Sequence, residues 1–198
     1  MRRKYKIVHL IAGLGVGGAE NIVLTLLQRC NRERFQTKIL YWDETATLLT
    51  RGKYIDVDIC RLKLKKVVSL QSSLKVAAEL RKFDADLIQT HLIDADLIGF
   101  IASIIGHIPV ILTIHSYPFP TIKTHFLRYR LMSLFARRVI CVSETVKRHL
   151  VNSVGIRDSK ISVVYNGVDL ERFSIAYGYA RGKKLRASFG ILPEEKVI

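Results

Sequence analysis

Between Asp86 and Gly167, short apolar runs alternate with helix-sized amphipathic segments, and that rhythm limits the fold more than any other feature of the chain. The runs DLIQTH (86–91), VILTIH (110–115), VICVS (139–143) and ISVVYNG (161–167) lack the in-and-out alternation of a half-exposed strand. Each reads as a strand covered on both faces. Helices are expected between them, over about 93–105, 121–137 and 144–153. Strand–helix–strand repetition of this kind gives parallel pairing through right-handed crossovers. The expected fold is therefore α/β, a Rossmann-like parallel sheet with helices on both faces.

The first third of the chain fits the same plan. KIVHLIAGLGVGGAENIVLTLL (6–27) is an apolar run, a glycine-rich loop and an amphipathic helix pattern from about Ala19 to Cys30. Gly13, Gly15, Gly17 and Gly18 are able to take positive φ and leave backbone N–H groups open to a ligand. With the positive end of a helix dipole facing the same loop, the natural guest is an anion such as a phosphate. TKILYW is a second strand ending at Asp43 and Glu44, Val57–Leu62 a short third, and Ser69–Lys82 an amphipathic helix. Ligands on parallel sheets collect beyond the carboxyl ends of the strands. Those ends carry the glycine loop, Asp43, His91, His115 with Ser116, Ser143 with Glu144, and Asn166 with Gly167. A polar, flexible rim on an apolar sheet suits a substrate cleft.

The 198 residues are enough for one full domain and the start of another. No apolar run approaches the ~20 residues needed to span a bilayer. The basic-then-apolar N-terminus is interrupted by His9 and by glycines, so it reads as a strand and not a signal peptide. Cys30, Cys60 and Cys141 are widely spaced and odd in number, which suggests neither a disulfide framework nor a zinc site, and a reducing cytoplasm is expected. The outlying quantity is charge. The 32 Lys and Arg against 17 Asp and Glu leave +15, which calls for an anionic partner. Arg61, Lys63, Lys65 and Lys66, ahead of an amphipathic helix, would suit an anionic membrane leaflet. Nucleic acid is not expected, because no recognition motif or aromatic ladder accompanies the charge.

Several other motifs compete. Gly13, Gly15 and Gly18 satisfy G-x-G-x-x-G, but Asp43 lies 25 positions beyond Gly18, further than a ribose-binding carboxylate usually stands, and Glu20 in the helix's first turn would repel a pyrophosphate. A nicotinamide dinucleotide is thus the weaker reading. Three D-x-D pairs (Asp56 and Asp58, Asp84 and Asp86, Asp94 and Asp96) dilute one another as metal sites, with Asp94 better placed as a cap, so no metal is expected. Among the histidines, His9 reads as a satisfied core or rim residue, whereas His91 and His115 stand at neighbouring strand ends facing the presumed cleft. No G-x-S-x-G elbow accompanies Ser116 or Ser143, leaving a hydrolase triad unsupported.

GGAEN after the first strand, the strand ending at His115, VICVSETVKRHL and VVYNGVDLERF together resemble, in this order, the N-terminal half of family 4 glycosyltransferases of the GT-B fold. The resemblance implies a two-domain enzyme that transfers a sugar, with retention, from a nucleotide-sugar donor to a polysaccharide, oligosaccharide or lipid-linked acceptor, with no required metal or other cofactor. It implies that Gly15, Gly17 and Gly18 lie near the donor diphosphate or acceptor, Glu20 and Asn21 near the acceptor, His115 beside the donor sugar as the catalytic residue, and Asn166 in the hinge. Tyr165 stands where the family has proline before NGVD. Residues 1–173 would then be the acceptor-binding domain. Residues 174–198, ending in EKVI, would be a linker and the first strand of a C-terminal donor-binding domain absent from this sequence, so the chain alone is expected to be inactive. The competing reading is a non-catalytic basic module that binds membrane or nucleic acid. The expected location is cytoplasmic, at the inner face of the membrane.

Overall fold

The structure, a computed structural model, describes residues 3–44, 46–48, 57–116, 123–168, 170, 175–192 and 194–196. Seven strands make one parallel sheet: β1 (Tyr5–Ile11), β2 (Phe35–Tyr41), β3 (Asp58–Arg61), β4 (Leu87–His91), β5 (Val110–Ile114), β6 (Arg138–Cys141) and β7 (Ile161–Val163). Their order is β3-β2-β1-β4-β5-β6-β7, so the chain builds outward from β1 on one side, then crosses back to build outward on the other. The connecting helices are α1 (Gly18–Gln28), α2 (Leu70–Phe83), α3 (Ile93–Gly106), α4 (Lys123–Phe135) and α5 (Glu144–His149). The expected Rossmann-like architecture is what forms.

Side chains alternate across each strand, and in β1 this sorts two layers. Ile11 packs with Ile39 and Tyr41 of β2 against Val23, Leu24 and Leu27 of α1. Val8 and Leu10 face the other way, into a larger core with Val76 and Leu80 of α2, Ala95, Ile98 and Ala102 of α3, and Tyr129 and Met132 of α4. Helices therefore cover both faces, with α1 on one and the remaining packed helices on the other.

Local chemistry sets the ends. Ser69 caps α2 by accepting from the Ser72 N–H at 3.2 Å, and Ser143 caps α5 by accepting from Val146 N–H at the same distance. Asp84 and His107 close α2 and α3 in the left-handed region, at φ 56° and 55°. Two expectations need correction. The segment 144–153 is not one α-helix: α5 stops at His149, and Leu150–Val154 forms a π turn that ends where Gly155 takes φ 79°. The strand expected over 161–167 ends at Val163, because Val164–Val168 has no ladder partner and lies exposed except for one backbone bond, Val164 N–H to Cys141 O. The start of the helix expected from Thr121 lies outside the described residues.

The chain divides into two compact units, Met1–Tyr165 and Asn166–Ile198. The second contains helix α6 (Ile175–Ser188), after which Arg186 donates to the carbonyls of Leu192 and Glu195 while the Glu195 carboxylate accepts from the Leu192 N–H. The strand expected to open in EKVI runs into residues 197–198, outside the described residues.

One contact limits how closely the larger layer is built. A Cβ placed on Gly99 of α3 would stand 2.4 Å from Thr90 Cγ2 of β4 and 3.1 Å from Leu10 Cδ2 of β1. Both are buried, so neither has room to retreat. Gly99→Ala is expected to destabilise the chain by about 1–3 kcal/mol through overpacking, read as a lower urea midpoint with an unchanged slope; an unchanged midpoint would show that α3 does not approach the sheet this closely.

Candidate functional site

The site is built on the α1 face, at the carboxyl ends of β1, β4 and β5. Register decides which side chains meet there. His9 pairs with Gln89, Ile11 with His91, and His91 with Thr113, so His9, His91 and His115 lie on one face, each stepped two residues further along its strand than the last. The rings join: His9 Nδ1 is 3.1 Å from His91 Nε2, and His91 Nδ1 is 2.9 Å from His115 Nε2. His9 and His91 are stacked, with centroids 5.4 Å apart and planes 16° apart, and His115 is tilted by 40° on His91 at 5.2 Å.

His9 and His91 are 3% and 1% exposed, and burial disfavours the imidazolium. It holds His9 down at about 4, His91 well below the ordinary histidine range with help from the two neighbouring rings, and His115 lower than usual. At neutral pH the three rings are uncharged hydrogen-bonding groups. His115 Nδ1 is buried yet has no hydrogen-bond partner among the described residues, so it is free within them to meet a ligand.

Two sequence expectations change here. His91 does not face a cleft: it is enclosed and both its nitrogens are engaged, so it reaches a ligand only through His115. His9 is not merely a core residue but the inner end of the histidine series. Nothing local marks it, because its role depends on the register between strands 80 residues apart in sequence.

The glycine loop follows β1. Its glycines do not use positive φ; among the described residues only Gly155 and Gly190 do. Gly17 is extended, at φ −147°, and its lack of a side chain serves close approach instead. A Cβ there would fall 2.0 Å from Glu20 Oε2. Asn21 donates from Nδ2 to the Gly17 carbonyl at 2.6 Å, tying the first turn of α1 to the loop. The loop is also pinned to the segment after β2, with Trp42 and Asp43 N–H groups both bonded to the Ala12 carbonyl and Leu48 N–H to the Leu14 carbonyl. Glu20 thus lies over the loop, and Asn21 holds it in shape. Gly15 belongs to the same loop, and Gly18 opens α1 with open space around it.

β4 ends in strain. Leu92, directly after His91, has φ 72° and ψ 154°, a conformation nearly reserved for glycine and costing on the order of 1–3 kcal/mol. Its carbonyl accepts from the Asp96 N–H at 2.9 Å, and its side chain packs on the α1 layer, so tertiary contacts hold the turn that brings His91 to the strand end.

Behind that turn lies a group that the sequence offered only as half of a D-x-D pair. Asp96 is fully buried and accepts hydroxyl bonds from Thr90 at 2.6 Å and from Tyr129 at 2.8 Å. Burial lifts its carboxyl to about 7 even though both hydroxyls pull the other way. Its signal was weak, because the partner Tyr129 is 33 residues away on α4.

The other expected positions sit apart. Asp84 and Asp86 bind Lys6 and Arg3 at the amino end of β4, and Asp58 pairs with Lys38, so these carboxylates serve as surface ion partners. Asn166 belongs to the second unit. Lys63, Lys65 and Lys66 are exposed; Arg61 is paired with Glu44 at 2.9 Å, and the Lys66 carbonyl is held by the hydroxyls of Ser69 and Ser72. Beside them Val68, Leu70 and Leu74 expose apolar surface.

The model of the family described as Glycosyltransferase Family 4 matches residues 16–172, from the glycine loop past β7. The chain belongs to that family. Among curated proteins it is similar to the UDP-Gal:alpha-D-GlcNAc-diphosphoundecaprenol alpha-1,3-galactosyltransferase of Escherichia coli, at 25% identity over 87% of this chain and 47% of the relative. Among solved structures, HepE of Anabaena in complex with UDP and glucose superposes at a TM-score of 0.75 with 22% identity, covering 94% of this chain and 50% of that one. A glycosyltransferase of Rickettsia africae superposes at 0.76 with 19% identity, covering 98% and 51%. The chain spans about half the length of these relatives, and the fold is that of the N-terminal half of a GT-B glycosyltransferase.

The buried acid and the buried bases of this family 4 domain bias stability in opposite directions. Histidines held neutral contribute fully above their unfolded value of 6.5, and that contribution is lost as pH falls toward 4, because only the unfolded chain takes up protons. Asp96 does the reverse: between about 4 and 7 it stays protonated when folded and ionises when unfolded, so stability drains as pH rises. Asp96→Asn removes the second effect. Urea midpoints at pH 4.5 and 7 are expected to differ more in the variant than in the parent chain; an equal or smaller difference would contradict the burial of a neutral Asp96.

Proposed function

We propose that this chain is the acceptor-binding half of a retaining glycosyltransferase, which transfers a sugar from a nucleotide-sugar donor to a glycan or lipid-linked acceptor. The observation that carries the reading is His115 at the end of β5, its Nδ1 buried and unpaired among the described residues and joined through His91 to His9 on β1, in a chain whose family match begins within the glycine loop that follows β1. The acceptor hydroxyl attacks the anomeric carbon from the face the diphosphate leaves. The bond between that carbon and the phosphate oxygen breaks, the nucleoside diphosphate departs with the electron pair, and the hydroxyl proton follows it. His115, uncharged, hydrogen-bonds the donor sugar as the catalytic residue, and Glu20 over the glycine loop meets acceptor hydroxyls. Residues 1–173 act as this domain, with Asn166 in the hinge, and residues 174–198 lead into a C-terminal donor-binding domain. No metal takes part.

The curated relative's name specifies a diphosphoundecaprenol-linked acceptor, and a diphosphate on a lipid suits the excess of 32 basic over 17 acidic side chains here. Lys63, Lys65 and Lys66 together with exposed Val68, Leu70 and Leu74 are the surface we assign to the inner, anionic face of a membrane, with Arg61 at its margin. Each lysine contributes about 1 kcal/mol at such a surface. Among the described residues no helix is long and apolar enough to cross a membrane, which leaves the contact peripheral in this reading.

The test uses the 198-residue chain and the same chain extended through its downstream coding sequence, with anionic vesicles carrying a polyprenyl-diphosphate sugar and a panel of nucleotide sugars. The extended protein is expected to transfer sugar in the presence of chelator, the shorter chain to be inactive, and His115→Ala to lower kcat by roughly 100-fold or more. Lys63, Lys65 and Lys66 changed together to Gln are expected to release the protein from the vesicles. No transfer by the extended protein would overturn the enzymatic reading in favour of a binding module, and full activity after His115→Ala would overturn the catalytic role of His115.

A further inference from the structure

The histidine series has a property that no single ring has. A neutral imidazole carries one N–H, so each ring offers one donor and one acceptor. His91 uses both nitrogens within the series, Nε2 toward His9 and Nδ1 toward His115. If His91 donates from Nε2 to His9 Nδ1, its own Nδ1 must accept from His115 Nε2–H, and His115 Nδ1 then presents a lone pair. If His9 donates from Nδ1, then His91 donates from Nδ1 to His115 Nε2, and His115 Nδ1 presents a hydrogen. Each bond fixes the next. The rings carry their hydrogens all on Nε2 or all on Nδ1, and a mixed series would set two hydrogens or two lone pairs against each other at about 3 Å inside the protein.

We propose that His9 and His91 are positioning residues that act through His115: the hydrogen-bonded series His9–His91–His115 forces the three rings into one common tautomer and so couples whether His115 Nδ1 gives or takes a hydrogen bond at the ligand to the nitrogen on which His9 carries its hydrogen. The geometry supplies three supports. The rings lie on one sheet face because of register, so backbone pairing holds their spacing. His9 and His91 are enclosed, so water does not compete for the bonds that pass the tautomer along. The strained Leu92 backbone directly after His91 is held by the Asp96 N–H and the α1 layer, which keeps the middle ring from drifting. His9 never touches His115 in this arrangement, yet it governs what His115 offers. The coupling bears on selectivity: with Nδ1 donating, the site binds a phosphoryl oxygen or a sugar hydroxyl, whereas with Nδ1 accepting it excludes the phosphoryl oxygen.

This inference rests on the reading of His115 as the ligand-facing residue only for what the tautomer is used for, and the tautomer itself is measurable without any activity. In the 198-residue chain with 15N-labelled histidine, two-bond proton–nitrogen spectra at neutral pH identify the protonated nitrogen of each ring. His9, His91 and His115 are expected to share one tautomer; two different pure tautomers among them would overturn the proposal outright, with no variant needed. His9→Phe is expected to turn His115 into a tautomer mixture, while His9→Asn, whose amide nitrogen and oxygen occupy the place of Nδ1, restores a single form. An unchanged His115 spectrum in a folded His9→Phe chain would also overturn it. In the extended protein, His9→Phe should lower kcat by roughly 10- to 100-fold, the scale seen when a group orienting a functional ring through its second nitrogen is lost, and His9→Asn should recover most of that. If the tautomers behave as stated and no transfer is found in any form, the relay stands and the enzymatic reading falls.

Discussion

The alternation of side chains across β1, β4 and β5 is the constraint from which both the core and the site follow. One set of positions, Val8 and Leu10 in β1, Ile88 and Thr90 in β4, Val110 and Leu112 in β5, packs beneath α2, α3 and α4. The other set brings His9, His91 and His115 together on the α1 face. A shift of one residue in any of these three strands would carry a histidine into the helix-packed core and break the series. The apolar layer therefore fixes the register, and the register assembles the polar site.

The buried histidines stay uncharged at neutral pH, and the buried Asp96 is neutral below about 7. The histidines are held below their ordinary range and Asp96 is held above its own, both by burial, and each is satisfied by neutral partners: ring to ring in one case, the Thr90 and Tyr129 hydroxyls in the other. Formal charge is pushed to the surface, where Lys and Arg exceed Asp and Glu by 15. For a ligand that carries a diphosphate this division is useful. The interior side of the site offers directional hydrogen bonds, while the exterior supplies the positive field that attracts the anion.

The strands were legible in the sequence because a parallel sheet buried on both faces writes itself as uninterrupted apolar runs, and DLIQTH, VILTIH and VICVS are such runs. The capped start of α2 at Ser69 was legible for the same local reason. What local pattern hides is pairing. His9 looks like any polar residue inside a strand until its register beside β4 is known, and Asp96 looks like one half of a D-x-D pair until Tyr129 arrives from α4. The glycine loop, expected to use positive φ to bare its backbone to a ligand, does not take positive φ. Gly17 is extended, and the atoms nearest a Cβ there belong to the movable end of the Glu20 side chain. The early end of β7 likewise reflects a missing ladder partner, which residue type alone does not reveal.

The account's central claim is that the α1 face, at the carboxyl ends of β1, β4 and β5, is the ligand-binding wall of this family 4 domain. A crystal structure of the extended protein with a nucleotide sugar and an acceptor bound tests it most directly. The account predicts a ligand oxygen within about 3 Å of His115 Nδ1 and ligand density against the loop from Gly13 to Gly18. Ligand bound instead at the opposite ends of the strands, among Arg3, Tyr5, Glu33, Arg34 and Asp86 where the surface is also concave, would contradict it.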